Sequence, residues 1–181
     1  MQHWTMVDAQ ADMRRGYFDG APGVAVSGLV WGIAAVISIR SASAAVLALL
    51  IGGAAIHPVG MLLAKGLGRA GAHARGNPLG RLALEGTAWM LAGIVIALGL
   101  QLLRAEWFFP AMLLVIGGRY LTFQTLYGLR IFWLLGAILA IAGLSLGLAR
   151  APVSLGALAG ASIEIVFALV IFGQARRAAS G

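Results

Sequence analysis

The sequence predicts an all-α fold, a polytopic transmembrane bundle of six helices with both termini in the cytoplasm. Three observations lead to this prediction. The 181-residue chain is 61% hydrophobic and only 10% charged, whereas soluble domains contain about 25% charged residues. Its apolar residues form six runs of about 20 residues, the length at which a helix crosses the hydrocarbon core of a bilayer. Its 13 Lys and Arg residues lie almost entirely between these runs, as expected where basic residues set membrane topology.

The predicted spans leave little of the chain for a soluble domain. They are residues 21–39, 44–64, 82–103, 107–127, 131–149 and 153–173. Membrane β-strands are about ten residues long and alternate in polarity, whereas these runs are much longer and do not alternate, so we expect helices. Residues 1–20 and 174–181 are then short tails, predicted to be cytoplasmic.

The first and third spans are each preceded by a recognisable signal. The first span follows Arg14 and Arg15, and we expect it to be an uncleaved helix with a positive inner flank. A cleaved secretory signal is the alternative, because residues 41–44 have the small side chains of a cleavage site. The third span follows a glycine-rich connection, residues 65–81, which contains a turn signal at Pro78. We expect this connection to be a flexible loop.

The last three spans are joined by short connections, so neighbouring helices are expected to be antiparallel. Trp107, Phe108 and Phe109 open the fourth span and have the character of an aromatic anchor at the membrane interface. Arg130 and Arg150 mark the two connections that follow.

The distribution of Lys and Arg predicts which ends of the helices lie in the cytoplasm. Nine basic residues would lie on one side of the membrane and three on the other, with one inside a span. The nine are Arg14, Arg15, Lys65, Arg69, Arg75, Arg81, Arg130, Arg176 and Arg177. The three are Arg40, Arg104 and Arg150. The positive-inside rule therefore places both tails and the long loop in the cytoplasm.

Three pairs of glycines are spaced four residues apart within the spans. Small residues at this spacing let helix backbones approach closely inside a membrane. We expect these pairs to be packing seams within one bundle, and a homo-oligomer formed through the glycine faces is the alternative. The pairs are Gly28 and Gly32, Gly143 and Gly147, and Gly156 and Gly160.

Four ionisable residues lie inside the predicted spans: His57, Glu85, Arg119 and Glu164. Such residues are costly in a bilayer and usually face the interior of a helix bundle. Arg119 and Glu164 lie at similar depth near the midplane, so we predict that they pair. The pair is either a structural lock between two helices or a site for a substrate or a proton.

His57 and Glu85 each have a structural and a functional interpretation. His57 precedes Pro58, which removes a backbone hydrogen bond and kinks a helix. The imidazole ring of His57 either hydrogen-bonds to the carbonyl group that the proline frees or adjusts the properties of the intramembrane polar site. Glu85 lies four residues after Arg81, which favours a salt bridge at the membrane boundary over a catalytic role.

The fourth span is the most polar of the six. Tyr120 and Gln124 lie along it on one stripe, together with Tyr127. We therefore expect this helix to line a cavity open toward the cytoplasm and include Tyr120 and Gln124 in the intramembrane polar site.

Several chemistries are excluded or disfavoured. The chain has no cysteine, so it has no disulfide and no thiolate metal site. We expect no metal and no cofactor, because one histidine with distant carboxylates is not a ligand set and no phosphate-binding or dinucleotide fingerprint is present. The expected partners are the lipid bilayer and a small solute, not nucleic acid. Enzymatic activity is left open, and a protein that is not an enzyme is favoured.

Three stretches of the chain resemble an uncharacterised bacterial family of small six-helix integral membrane proteins. They are GNPLGRLALEGTAWML at 76–91, PAMLLVIGGRYLTFQTLYGLRIFW at 110–133 and IEIVFALVI at 163–171. The resemblance implies six helices in a bacterial inner membrane and supplies no activity. Where the family has a histidine after the small-residue pair of the fourth helix, this chain has Arg119, so a proton-relay role is not carried over to that position.

We favour a multi-pass inner-membrane protein that binds or transports a small solute at this polar site, with proton linkage as an option. In that reading Arg119 holds an anionic group, Glu164 is its counter-ion or proton carrier, and His57 tunes the site. One alternative is a structural or accessory membrane protein in which the same residues join helices. The other is a lipid-directed membrane enzyme that uses Glu85 and His57 near the inner headgroups.

Overall fold

The computed structural model describes residues 4–180, with side chains for residues 4–177, and it is helical with no strand in that part of the chain. It contains seven α-helices and two short 3-10 turns, at Phe18–Gly20 and Ala105–Trp107. The helices are α1 (Met6–Tyr17), α2 (Ala21–Ser38), α3 (Ala42–Gly66), α4 (Leu79–Leu103), α5 (Phe108–Tyr127), α6 (Ile131–Leu148) and α7 (Val153–Ser180). Helices α2–α7 lie at the six predicted spans, so the predicted all-α bundle is confirmed.

Among the described residues, five helical segments are long and apolar enough to cross a membrane: Met6–Ser38, which contains α1 and α2 with a kink at Asp19, then α3, α4, α6 and α7. The protein is therefore a multi-pass membrane protein. Helix α5 is also 20 residues long, but Arg119 and Gln124 lower its hydropathy. It lies among the other helices, where polar side chains can be shielded from lipid.

Helices α2, α5 and α7 form the centre of the bundle. Helix α2 packs against α3 and α7, whereas α5 packs against α4, α6 and α7. Helices α3 and α4 lie at the two outer edges, and only five residues of α3 and two of α4 are buried. The two outer helices therefore leave a large part of their surface open to the membrane.

The predicted glycine pairs are packing seams within the bundle. A side chain at Gly28 would come within 2.9 Å of Ile165, and one at Gly143 would come within 2.6 Å of the Pro110 carbonyl oxygen. A side chain at Gly160 would overlap the Trp31 ring. Because lipid tails give apolar helices little reason to associate, this close backbone approach is a main source of helix packing.

Helix α1 was not predicted, because residues 1–20 were expected to be a tail. Its N-cap is Thr5, whose hydroxyl accepts a hydrogen bond from the Asp8 backbone N–H at 3.2 Å. Ala9, Met13 and Gly16 are buried at helical spacing, so one face of α1 packs against the end of the bundle. Residues 1–3 lie outside the described part of the chain.

The loop between α3 and α4 is tied to α1, in contrast to the flexible connection that we expected. The Gly71 N–H donates to the Gly16 carbonyl at 2.9 Å. The buried Asn77 amide donates to the Ala9 carbonyl at 3.0 Å and to Asp12 Oδ2 at 2.8 Å. These bonds satisfy backbone and side-chain groups that a free loop would leave to water.

Helix α1 also reaches the last turn of α5. Gln10 Nε2 donates to the Thr125 carbonyl at 2.9 Å, and Arg14 Nη1 donates to the Tyr127 carbonyl at 2.5 Å. The last carbonyls of a helix have no partner within it and favour a nearby cation. The end of the bundle that contains α1, the α3–α4 loop and the last turn of α5 is called the α1 end. It holds the residues that were predicted to be cytoplasmic.

Candidate functional site

A carboxyl group and a tyrosine hydroxyl meet at the centre of the bundle. Glu164 on α7 is fully buried, with 0% exposure, and Tyr120 on α5 is 5% exposed. The Tyr120 hydroxyl donates a hydrogen bond to Glu164 Oε1 at 2.9 Å. Two of the predicted site residues are therefore brought together, on helices that lie far apart in the sequence.

The neighbouring residues explain how this pair fits between helices. Gly160, Ala161 and Ala168 surround Glu164 at helical spacing on α7 and are buried, so they leave room for larger side chains from α2 and α5. The buried Ser27 side chain on α2 lies beside both Tyr120 and Glu164. The three central helices thus contribute one polar side chain each.

The second carboxyl oxygen of Glu164 has no protein partner. Oε2 is buried and forms no hydrogen bond with any residue between 4 and 177. An ionised carboxylate in such a site needs a cation or further donors, because its charge is poorly solvated. The group can therefore bind a proton or a small cation at Oε2.

An aromatic cluster holds the Tyr120 ring in place. The ring stacks on Phe132 of α6, with centroids 6.1 Å apart and an interplanar angle of 16°, and it meets Phe123 edge-on at 5.3 Å. Phe132 also stacks on Tyr127, at 5.3 Å. Such packing restricts the ring and so fixes the direction of its hydroxyl group.

The predicted ion pair between Arg119 and Glu164 is wrong. Arg119 Nη1 donates to the Met90 sulfur of α4 at 2.7 Å, and the guanidinium lies 5.6 Å from the centre of the Phe123 ring. Successive residues on a helix point about 100° apart, given 3.6 residues per turn. Tyr120 therefore faces Glu164 while its neighbour Arg119 faces α4.

His57 and Glu85 lie on the outer helices and are exposed. The His57 ring has Tyr17 of α1 as an aromatic neighbour, with centroids 6.5 Å apart. Glu85 is within ion-pair distance of neither Arg81, its expected partner, nor Arg119, whereas a salt bridge joins Arg104 to Glu106 at 3.6 Å.

Gln124, the remaining predicted site residue, is partly buried on α5, one turn beyond Tyr120. No hydrogen bond joins its side chain to Glu164 in the part of the chain that the structure describes. Ser27 was missed by the sequence analysis. Its one signal is its position beside Gly28, at a seam between helices. The described residues contain no group of three or more His, Asp or Glu side chains placed to hold a metal ion.

An apolar groove follows the outer side of the seam between α2 and α7. Its volume is about 720 Å³. It is lined by Gly28, Leu29, Gly32, Ile33, Val36, Ile37, Ala161, Ser162, Ile165 and Val166. The groove is adjacent along both helices to Ser27 and Glu164, and Arg119 does not line it.

Comparisons with known proteins identify a family but no activity. The model of a family described as "Family of unknown function (DUF7010)" matches residues 6–174. This match confirms the resemblance to an uncharacterised family. No curated protein and no solved structure matches the chain.

Proposed function

The chain belongs to this family of unknown function, and we propose that it is a multi-pass protein of the bacterial inner membrane that binds or transports a small solute, linked to proton binding at Glu164. The observation that carries the proposal is the fully buried carboxyl group of Glu164, with one oxygen bonded to Tyr120 and the other without a partner.

Charge and conformation are coupled at this position. A neutral, protonated Glu164 is compatible with the close contact between α2 and α7, because the Tyr120 hydroxyl donates to one carboxyl oxygen and the acid proton resides on the other. A charged Glu164 costs several kcal/mol or more in a membrane interior unless a cation or water accompanies it. Loss of the proton therefore favours separation of α2 from α7 or entry of a cation. A proton-linked carrier needs this coupling between proton binding and conformation.

The seam between α2 and α7 is the best candidate for the moving contact. Both helices carry small residues there, and Gly28 allows the α7 backbone to come within 3.0 Å of where a side chain would be. Separation of the two helices would also move Ser27 away from Glu164. In this proposal the α2–α7 groove widens when Glu164 loses its proton.

The proposed orientation places the α1 end in the cytoplasm. Nine of the 13 Lys and Arg residues are at that end and three at the other, which supports the assignment by the positive-inside rule. The resemblance to a bacterial family supports the inner membrane.

Infrared difference spectroscopy of the protein in liposomes tests proton binding at Glu164. A pH step should change the C=O stretching band of a buried carboxylic acid in the native chain, and Glu164→Gln should abolish this change. Glu85→Gln is the matched control, because Glu85 is exposed on α4, and it should retain the band. An unchanged band in Glu164→Gln contradicts the proposal.

The link to a solute is tested in proteoliposomes that contain a pH-sensitive dye. A panel of small organic anions, cations and sugars is added outside, and at least one should drive proton movement in the native protein. Glu164→Gln should remove this movement and Glu85→Gln should not. Proton binding without any solute-driven proton movement would support the alternative, a structural protein in which Tyr120 and Glu164 join α5 to α7.

A lipid-directed enzyme is disfavoured by the positions of its candidate groups. His57 lies on α3 and Glu85 on α4, both exposed, at opposite edges of the bundle. No contact joins the two side chains within residues 4–177. An acid and a base that act on one substrate need to lie within hydrogen-bonding reach of it.

A further inference from the structure

The Arg119 guanidinium has no anionic partner. It offers five N–H donors and is always charged. One donor is bonded to the Met90 sulfur, which is a weak acceptor. The remaining contact is with the face of Phe123. Among residues 4–177 no Asp or Glu oxygen lies within ion-pair distance of Arg119.

Arg119 lies deep in the bundle, which makes the missing anion costly. It is the twelfth residue of α5, about 12 Å from the nearer helix end at 1.5 Å per residue. Its partner Met90 lies near the middle of α4, as the twelfth of its 25 residues. A charged guanidinium at this depth is expected to be paired or to mark a binding pathway.

The Arg119 side chain is partly exposed where α4 packs against α5. Glycines one turn before and one turn after Met90 bring the two helices close together: a side chain at Gly86 would lie 3.5 Å from Thr122 Oγ1, and one at Gly93 would lie 2.7 Å from Val115. Met90 lies between these two contacts, and the outer face of α4 is exposed. The Met90 side chain, which is flexible and unbranched, is the one α4 side chain that hydrogen-bonds to Arg119.

We propose that Arg119 binds the oxyanion group, a carboxylate or phosphate, of a ligand that enters between α4 and α5. A guanidinium matches both groups through two parallel hydrogen bonds. This site is separate from Glu164 and does not rest on proton binding there. The two side chains that contact the guanidinium, Met90 and Phe123, are apolar, so the ligand carries an apolar portion or enters stripped of water.

Glu85 is the charged side chain that competes with this assignment. It lies five residues before Met90 on α4 and is exposed. If Glu85 were the true partner of Arg119, the native chain would bind no oxyanion and Glu85→Gln would create a binding site. The experiment therefore includes this variant.

The test uses the protein in nanodiscs of phosphatidylcholine. The probes are oleate and dodecyl phosphate as lipid-like oxyanions, acetate and inorganic phosphate as water-soluble ones, and oleyl alcohol as an uncharged match for oleate. Binding is followed by native mass spectrometry and by the shift in Tm. We expect the native chain to bind oleate or dodecyl phosphate and not oleyl alcohol. Binding of acetate or phosphate would equally support the site and assign a water-borne source.

Variants separate the Arg119 site from general charge effects. Arg119→Gln should weaken oxyanion binding at least about tenfold, the loss expected when a charge-assisted hydrogen bond is removed. Arg119→Lys keeps the charge but loses the paired geometry, and we expect an intermediate affinity. Arg130→Gln, at an exposed arginine, should bind as the native chain does.

The Tm measured without ligand shows whether Arg119→Gln itself destabilises the protein. Removing an unpaired charge from the membrane interior should leave the Tm of Arg119→Gln equal to or above that of the native chain. Equal binding by the native chain and Arg119→Gln, no oxyanion binding to the native chain, or binding that arises only in Glu85→Gln would each overturn the proposal.

Discussion

The hydroxyl group of Tyr120 is the residue-scale feature on which the site depends. It donates to an oxygen of the fully buried Glu164 carboxyl group. Removing the donor leaves a second Glu164 oxygen without that bond, and an unsatisfied buried acceptor costs about 1–3 kcal/mol. The pair therefore contributes to stability as well as to the proposed chemistry.

We predict that Tyr120→Phe lowers the free energy of unfolding by about 1–3 kcal/mol, measured by denaturation in mixed micelles. Tyr127→Phe is the control, because Tyr127 belongs to the same aromatic cluster and its hydroxyl bonds to no other side chain among residues 4–177. Equal destabilisation by the two variants would show that the removal of a hydroxyl group from the cluster, and not the loss of the bond to Glu164, accounts for the effect.

At this scale the sequence identified the polar residues and their depth but not their partners. Arg119, Tyr120 and Glu164 were all recognised as intramembrane polar residues. Depth follows from counting residues along a span, since each adds about 1.5 Å. Direction depends on how each helix is rotated against its neighbours, which hydropathy does not report, and this is why Arg119 was paired with the wrong helix.

Ser27 shows a second limit at the residue scale. A neutral hydroxyl is tolerated in a membrane helix when it bonds locally, so one serine in a span gives little signal. Its contact with Tyr120 and Glu164 arises because α2, α5 and α7 converge. A prediction of that contact requires the packing order of the helices.

Adjacent glycines on α5 show how closely α5 and α6 pack at the element scale. A side chain at Gly117 would lie 2.7 Å from the Gly136 carbonyl oxygen of α6, whereas one at Gly118 would meet nothing within 4 Å. The first contact is with backbone, which cannot rotate away as a side chain can. The close packing of α5 against α6 therefore depends on Gly117 and not on Gly118.

We predict that Gly117→Ala destabilises the protein by about 1–3 kcal/mol, as overpacked cores do. Gly118→Ala should be neutral or stabilising by up to about 1 kcal/mol, because alanine favours a helix over glycine. The comparison is made by thermal unfolding in the same detergent. Similar effects of the two substitutions would argue against the close contact of α5 with α6.

Element-scale prediction succeeded for the six long helices and failed for α1. The long helices follow from long runs of apolar residues, because a chain that crosses a bilayer must form helices or a closed barrel. Helix α1 buries Ala9, Met13 and Gly16, a spacing typical of an amphipathic helix. Two of these residues are small, so the pattern is weak in hydropathy although it is clear in the structure.

At the scale of the whole molecule, the outer helices cannot be told from the central ones by hydropathy. Helices α3 and α4 are as apolar as α2 and α7, yet they lie at the edges. Lipid and protein interiors are both apolar, so sequence composition does not distinguish them. The order of packing is set instead by small residues and shape.

Membrane sidedness is a prediction for the whole molecule. The chain has no cysteine, so single cysteines can be introduced without a background. Arg75→Cys lies in the loop of the α1 end and should react with a membrane-impermeant reagent from the cytoplasm alone. Arg40→Cys lies at the opposite end and should react from the periplasm alone. Reversed labelling would overturn the proposed orientation.

The docking of α1 onto α5 has a consequence for how the protein is made. Gln10 and Thr125 are 115 residues apart in the chain, and Arg14 and Tyr127 are 113 apart. The ribosome therefore completes α1 long before the carbonyls that receive it exist. Helix α1 can meet the α3–α4 loop earlier, but it can dock onto the end of α5 only after α2 to α5 have been synthesised.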